Sequence, residues 1–248
     1  MDHMIYTAAT GAARTLEQQA IISNNMANVS TTGFREQMAV YRSVPVVGVT
    51  ELPTRVSTVT ATPGSNFEQG VMAETGHALD LAITGDGWFA VQTPQGEAYT
   101  RNGELAINSE NILVNHAGLP VLSDDGGPVE LPERGSVTFS GDGTITALGA
   151  GDNPADIQVM GQLKLVNPPA GDLIRGDDGL YRLAGGQAAP ANQEVRMISG
   201  FVEKSNVSAA EAMVAMITNA RRFEMQMKII QDASSNAERA NSILSSNG

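Results

Sequence analysis

The sequence predicts an α+β protein in which long N- and C-terminal helices form a coiled-coil-type axial domain, with an all-β domain inserted between them. Two observations carry this prediction. All eleven prolines lie between Pro45 and Pro190, so both ends of the chain lack the residue that most often breaks a helix. The middle of the chain instead consists of short β-prone runs separated by Gly, Asn and Asp turn signals.

The predicted organisation has four parts. An N-terminal axial helix with an Asn-rich loop takes residues 1–34, and an extended connector takes residues 35–78. A β-rich outer domain follows over residues 79–203, and a C-terminal axial helix takes residues 204–248. A connector of this length without strong periodicity is usually functional.

Apolar spacing predicts the N-terminal helix. Ile5, Ala9, Ala12 and Leu16 repeat at intervals of four, three and four residues, which places them on one helix face. The two alanines would let another helix approach closely. The alternative is a helix that belongs to an ordinary domain and packs on its own core.

An Asn-rich stretch follows the helix, with the sequence Ser-Asn-Asn-Met-Ala-Asn-Val-Ser-Thr-Thr-Gly-Phe over residues 23–34. Asn, Ser and Thr compete for backbone hydrogen bonds and so end helices. Gly33 is predicted to adopt a positive φ. Three asparagines within five residues, Asn24, Asn25 and Asn28, are more than a helix cap needs.

The β-rich part begins near Leu79 and ends near Val202. Its strand-like runs are separated by turn signals such as Gly85-Asp86-Gly87 and Asn102-Gly103. These signals recur at short intervals, which favours a compact all-β domain.

The C-terminal stretch has the strongest helix signal. Ser208 is followed three residues later by Glu211, the capping-box pattern of a helix start. An apolar seam follows at the period of a coiled-coil face. Its members are Ala209, Met213, Met216, Ala220, Phe223, Met227, Ile230, Ser234, Ala237, Asn241 and Leu244. The alternative is an amphipathic helix packed on its own core, because two seam members are polar.

Composition and charge exclude several classes. The formal net charge is −12, and its whole excess lies in the middle of the chain, because the acidic and basic residues of each end balance. This distribution argues against nucleic acid as a partner and favours terminal segments that pack on copies of themselves. There is no cysteine, no apolar run long enough for a membrane span, and no signal-peptide pattern at the start of the sequence.

No catalytic, cofactor or metal site is predicted. The three histidines are scattered without metal-ligand spacing, and the common nucleotide and hydrolase motifs are missing. The pairs Asp124-Asp125 and Asp177-Asp178 precede glycine, which is typical of turns, although they could flank a substrate or bind calcium. Trp88 could stack on a sugar, but core packing is the simpler expectation.

Several motifs resemble those of the bacterial flagellar axial proteins, which include rod, hook and hook-associated proteins. The stretch at residues 23–34 resembles the S-N-N-L-A-N-x-x-T-x-G-F signature, with Met26 in place of leucine. The stretch at residues 200–207, Gly-Phe-Val-Glu-Lys-Ser-Asn-Val, resembles the entry to the family's C-terminal helix. Tyr-Thr-Arg-Asn-Gly at residues 99–103 resembles a hairpin of its β domain, and Leu79–Ile83 with Gly87-Trp88-Phe89 resembles the start of that domain.

Within that family the chain resembles the proximal rod proteins most, in its opening residues 1–8 and in the run at residues 220–228. The resemblance implies a structural subunit of the flagellar drive shaft that is exported through the flagellar type III apparatus without a cleaved signal peptide. It implies helical polymerisation in the periplasm with copies of itself and with other rod proteins, to transmit torque. The residues that we expect at the polymerisation interface are Ile5, Ala9, Ala12, Leu16, Asn24, Asn25, Asn28, Gly33, Met213, Met216, Ala220, Phe223, Met227 and Ile230.

Two alternatives stay open at this point. One is a distal rod or hook subunit of the same family. The other is a secreted β-rich carbohydrate-binding or hydrolytic protein, which would need a cleft with paired carboxylates.

Overall fold

A computed structural model describes residues 2–39, 41–45, 56–60, 64–132, 135–149 and 157–245. The chain divides into two compact units. The helix unit contains Met1–Val29, Glu36–Asn66 and Val207–Gly248, and the β unit contains Ser30–Arg35 and Phe67–Asn206.

Two long helices belong to the helix unit, α1 at Asp2–Ala27 and α2 at Ala209–Ser245. The predicted cap of α2 is confirmed, because the Glu211 N–H donates to the Ser208 hydroxyl over 3.4 Å. With 37 residues, α2 is about 55 Å long at 1.5 Å per residue.

In the described part of the helix unit there are also four short strands. They are β1 (Gln37–Met38), β2 (Tyr41–Pro45), β3 (Val56–Thr60) and β4 (Gly64–Ser65). Strand β1 pairs with β4 and β2 pairs with β3, both antiparallel. Residues 46–55, where the sequence predicts an extended connector, lie outside the described residues.

The β unit is built from antiparallel strands. They are β5 (Met72–Glu74), β6 (Leu81–Thr84), β7 (Trp88–Thr93), β8 (Gly96–Thr100), β9 (Leu105–Ile107), β10 (Leu113–Asn115), β11 (Gly135–Phe139), β12 (Thr144–Gly149), β13 (Gln158–Gln162), β14 (Leu165–Val166), β15 (Leu173–Arg175), β16 (Tyr181–Leu183), β17 (Arg196–Ser199) and β18 (Phe201–Glu203). The largest sheet has the order β14-β7-β8-β16-β15, and a second has the order β11-β12-β13. Three further pairs are β10 with β9, β17 with β6 and β18 with β5.

Strand β7 separates two buried apolar clusters. Phe89 and Val91 point into the larger cluster, whereas Trp88 and Ala90 point into the smaller one. This alternation follows from the two-residue period of a strand. It also confirms the expectation that Trp88, only 4% exposed, is a core residue. The β unit therefore has buried apolar side chains on both faces of β7.

The predicted fold class is wrong in its arrangement. The mixture of helix and strand is present, but the described residues do not form a coiled-coil-type axial domain with an all-β domain inserted in it. The unit that holds both helices also holds four strands, and residues 30–35, between α1 and β1, belong to the β unit. The structure instead has one helix at each end and a large β-rich middle.

The inward-facing positions of the helices differ from the predicted apolar seam, so the predicted residues do not form a coiled-coil seam. The less exposed positions of α2 include Ala212, Met216, Asn219, Phe223 and Gln226. They share the predicted period, but Ala212, Asn219 and Gln226 stand one residue before the predicted Met213, Ala220 and Met227. Helix α1 repeats this offset, because Ala8 and Thr15 are buried where Ala9 and Leu16 were expected. Small and polar side chains therefore fill half of the inner positions, and a coiled coil needs apolar side chains there.

Candidate functional site

Polar side chains join the two helices. The Asn219 amide group donates to the Thr15 carbonyl oxygen over 2.8 Å and to Gln19 Oε1 over 2.9 Å. The Thr15 hydroxyl donates to Gln226 Oε1 over 3.0 Å. Gly11 leaves room for this contact, since a Cβ there would lie 2.9 Å from Gln226 Nε2. These hydrogen bonds therefore fix one register between the two helices.

The expected interface residues divide by exposure. Six are exposed: Ala9, Leu16, Asn24, Met213, Ala220 and Met227. Six are half-buried: Ile5, Asn28, Gly33, Met216, Phe223 and Ile230. Two are buried, Ala12 and Asn25. The half-buried Phe223 shares the face of α2 that carries Asn219 and Gln226, so it contributes to packing within one chain.

The outer face of α2 carries a second apolar stripe. Ala210, Met213, Val214 and Ile217 follow the i, i+3, i+4, i+7 pattern of one helix face. Met213 is 51% exposed, Val214 64% and Ile217 57%. We call these four residues the outer stripe. Such a run of exposed apolar side chains is typical of protein–protein interaction sites.

The Asn-rich stretch is held mainly by its own chain. The Asn25 amide donates to the Gln37 carbonyl oxygen over 2.8 Å, and the Gln37 N–H donates back to Asn25 Oδ1 over 2.9 Å. The Asn28 amide donates to the Asn24 carbonyl oxygen over 2.9 Å, at the end of α1. The two Asn25 bonds therefore join the Asn-rich stretch to Gln37, within the segment predicted as the connector.

Gly33 adopts a φ of +68°, which confirms the sequence prediction for this turn. Its surroundings lie inside the β unit. A Cβ on Gly33 would lie 2.3 Å from the Asn102 backbone nitrogen, and the Gly33 N–H donates to the Glu203 carbonyl oxygen over 2.7 Å. Gly33, in the N-terminal motif, therefore lies against the Tyr-Thr-Arg-Asn-Gly hairpin and against Glu203 of the motif at residues 200–207.

A buried ion cluster lies where these three motifs meet. The Glu203 carboxylate, 1% exposed, pairs with Arg35 through Oε1 and with Arg101 Nη1 through Oε2, the latter over 3.1 Å. The Gly70 N–H also donates to Glu203 Oε1 over 2.8 Å. We call Arg35, Arg101 and Glu203 the motif cluster.

Arg101 links the motif cluster to the core. Its second guanidinium nitrogen, Nη2, donates to the Gly85 carbonyl oxygen over 2.7 Å, and its guanidinium carbon lies 5.4 Å from the centre of the Trp88 ring. Burial lowers the pKa of Arg101 to about 10, because the loss of water disfavours the charged form, while the negative charge of Glu203 opposes that shift. The Glu203 carboxylate therefore offsets part of the cost of burying this cation.

Sequence reasoning did not assign the members of this cluster. Arg101 and Glu203 lie within motifs that the resemblance rests on, and Arg35 directly follows another. The only available signal was that each motif contains, or is directly followed by, a charged residue two or three positions from its glycine. Charge complementarity between distant motifs could have suggested the pairing, but not which charges are buried.

Within the described ranges, neither helix is apolar over a long enough stretch to cross a membrane. The same part of the chain holds no group of three or more His, Cys, Asp or Glu residues that could bind a metal ion. A cavity of about 340 Å³ lies beside Trp88 and Arg101, and Asp86 supplies the carboxylate among its lining residues.

Three family models match the chain. A model described as "Flagella basal body rod protein" matches residues 5–35, and "Flagellar hook protein FlgE/F/G D1 domain" matches residues 82–147. A third, "Flagellar basal body rod FlgEFG protein C-terminal", matches residues 198–243. The three matches contain the three motifs that meet at Glu203.

Curated relatives match over nearly the whole chain. The flagellar basal-body rod protein FlgF of Escherichia coli K12 is 45% identical, over 99% of this chain and 99% of that protein. FlgF of Salmonella typhimurium is 44% identical with the same coverage. FlgF of Caulobacter vibrioides is 34% identical over 94% of each chain.

Proposed function

The chain belongs to the FlgF family of flagellar basal-body rod proteins, and from this premise we propose how it acts as a structural subunit of the proximal rod. It binds copies of itself and other rod proteins through the exposed faces of its terminal helices. Because each subunit adds to the next in the same orientation, the contact builds a helical filament that transmits torque.

One observation carries the proposal: the outer stripe of α2 is apolar and more than half exposed at Met213, Val214 and Ile217. Burial of apolar area stabilises association by about 25 cal/mol per Å². In a filament the contact recurs at every subunit, so a small gain in association free energy per contact stabilises the whole rod.

The proposed interface extends beyond the outer stripe. On α2 it includes the exposed Ala220 and Met227, and on α1 it includes Ala9, Leu16 and Asn24. The less exposed members of the expected set on the helix unit are Ile5, Ala12, Asn25, Asn28, Met216, Phe223 and Ile230, and we assign them to shaping this surface from beneath or at its edge. Gly33 lies in the β unit and is not assigned to this surface.

The proposal also covers the location, the export and the catalytic activity of the protein. The protein belongs to the flagellar basal body, and we propose the periplasmic rod as its site. We also propose export through the flagellar type III apparatus without cleavage of a signal peptide. The family is structural, and we propose that the chain has no catalytic activity. Mass spectrometry of the N-terminus in isolated basal bodies tests the export proposal, which expects an uncleaved start.

The assembly proposal is tested by placing a charge on the outer stripe. Ile217→Asp would bury an unpaired carboxylate on assembly and not on folding, and burial of an unpaired charge costs several kcal/mol. We expect a folded, soluble monomer with unchanged circular dichroism and no motility when it replaces the wild-type chain in a strain that lacks it.

Ala215→Asp is the matched control. Ala215 lies on the same turn of α2, is exposed and stands outside the outer stripe, so the same charge should leave motility nearly intact. Normal rods with Ile217→Asp, seen by electron microscopy of basal bodies, would contradict the proposed interface. A lowered melting temperature of the monomer would show that the stripe packs within the chain.

A further inference from the structure

The β unit joins the rest of the chain at four points. These lie between residues 29 and 30, 35 and 36, 66 and 67, and 206 and 207. On the β-unit side, three segments lead to these points: residues 30–35, 67–70 and 203–206. We call them the exit segments.

Hydrogen bonds to main-chain carbonyl oxygens hold the exit segments together. The Asn206 N–H donates to the Phe34 carbonyl oxygen over 3.3 Å, which joins the first segment to the third. The Asn206 amide group donates to the Glu68 carbonyl oxygen over 2.9 Å, which joins the third segment to the second. A Cβ on Gly70 would lie 1.9 Å from the Lys204 carbonyl oxygen, so the backbones of the second and third segments are in close contact.

A single carboxylate binds all three segments. Glu203 lies on the third segment, its Oε1 pairs with Arg35 on the first, and the same oxygen accepts the Gly70 N–H of the second over 2.8 Å. Oε2 binds Arg101, which belongs to the body of the β unit. Residues 35 and 203 are 168 positions apart, so this node forms only in the folded chain.

We propose that Glu203 is a positioning residue that holds the three exit segments together, so that force on one exit segment is shared by the others. The consequence for torque transmission rests on the proposed rod function, whereas the positioning role itself does not. The cluster suits this role because its ion pairs are buried. If the third segment separates, Arg101 is left buried without its carboxylate, and if the first separates, Glu203 loses one of its two cationic partners. Both losses disfavour opening of one segment alone.

Hydrogen exchange on the purified full chain tests the proposal. Glu203→Gln keeps the side-chain shape and removes the charge, and Lys204→Gln is the control because Lys204 is the exposed neighbour. We expect amides in residues 30–36 and 67–71 to exchange at least about tenfold faster in Glu203→Gln, with exchange of β7 and β8 unchanged, as for a local opening.

A merely structural role predicts a different pattern. It would accelerate exchange throughout the β unit, in proportion to the loss of global stability, and that result would overturn the proposal. Unchanged exchange in residues 30–36 and 67–71 would overturn it as well. Should Glu203→Gln fail to fold, Arg35→Lys tests the same node with the positive charge retained, and we expect the same local pattern at lower amplitude.

The consequence for torque is measured separately. In a strain that lacks the wild-type chain, Glu203→Gln should swim in plain medium and lose more speed than Lys204→Gln in medium of raised viscosity. Equal loss by both variants would overturn the link to torque while the exchange result still decides the positioning role. Failure of the wild-type chain to restore motility would instead contradict the proposed rod function.

Discussion

The β unit and the helix pair place their apolar side chains in opposite ways. In the β unit Leu81, Ile83 and Phe89 are wholly buried. In the helix pair the buried side chains are mostly small or polar, such as Ala212 and Asn219, while Val214 and Ile217 are exposed. A unit with a core of buried apolar side chains can fold on its own. Helices that expose apolar side chains to solvent gain further stability when a partner covers them.

The largest expected effect compares one phenylalanine from each unit. Phe89→Ala removes a fully buried ring and should lower the free energy of unfolding of the β unit by about 3–5 kcal/mol. Phe223→Ala removes a half-buried ring from α2, so its cost in the monomer should be less than half as large.

The two units can be followed separately. Trp88 is the only tryptophan of the chain and lies in the β unit, so its fluorescence reports that unit, while circular dichroism at the helix band reports mainly α1 and α2. If Phe89→Ala and Phe223→Ala lower the free energy of unfolding equally, the two units do not differ in how strongly their stability depends on a buried ring.

A smaller effect is expected at Gly33, compared with Gly76. Both have a positive φ, +68° and +72°, where alanine costs about 1–2 kcal/mol. Only at Gly33 would the added Cβ meet backbone atoms, 2.3 Å from the Asn102 nitrogen, since nothing lies within 4 Å of it at Gly76. Thermal unfolding followed by Trp88 fluorescence should therefore show at least twice the loss of stability for Gly33→Ala.

This comparison also tests where Gly33 acts. The sequence predicts Gly33 at the polymerisation interface, but in the structure Gly33 contacts the interior of the β unit. If Gly33→Ala and Gly76→Ala unfold at the same temperature, the close approach to Asn102 does not constrain the fold.

The smallest effect concerns pH and the core of the β unit. Burial raises the pKa of Tyr99 from 10.0 to about 12, and the nearby Glu97 carboxylate adds to this, although the Ala189 N–H that the hydroxyl accepts opposes it. Because the folded pKa exceeds the unfolded one, the stability from the neutral phenol is complete below pH 10 and is lost as the pH rises toward 12.

Tyr99→Phe should reveal this dependence. At pH 8 it should cost about 1–3 kcal/mol, because the buried Ala189 N–H loses its acceptor. The difference from wild type should shrink between pH 10 and pH 12 in denaturant unfolding. A constant difference over this range would show that Tyr99 titrates normally.

Local signals were reliable where a single turn or cap decides the structure. Ser208 caps α2, Gly33 takes a positive φ, and Trp88 is buried, all as predicted. Each of these depends on neighbours close in sequence or on the size of one side chain. The family was also recognisable, because its motifs are short contiguous runs. The domain boundaries and the interface residues predicted from the sequence stay predictions.

The sequence by itself determined where the helices lie, which turns need glycine and to which family the chain belongs. Only the tertiary structure decided which face of each helix points inward. Met213 is more apolar than Ala212, yet Ala212 is buried, because small and hydrogen-bonding side chains let α1 and α2 approach closely. The same limit applies to Glu203. A carboxylate is buried only if its partners arrive from distant parts of the chain, and no local pattern records that Arg35 does so.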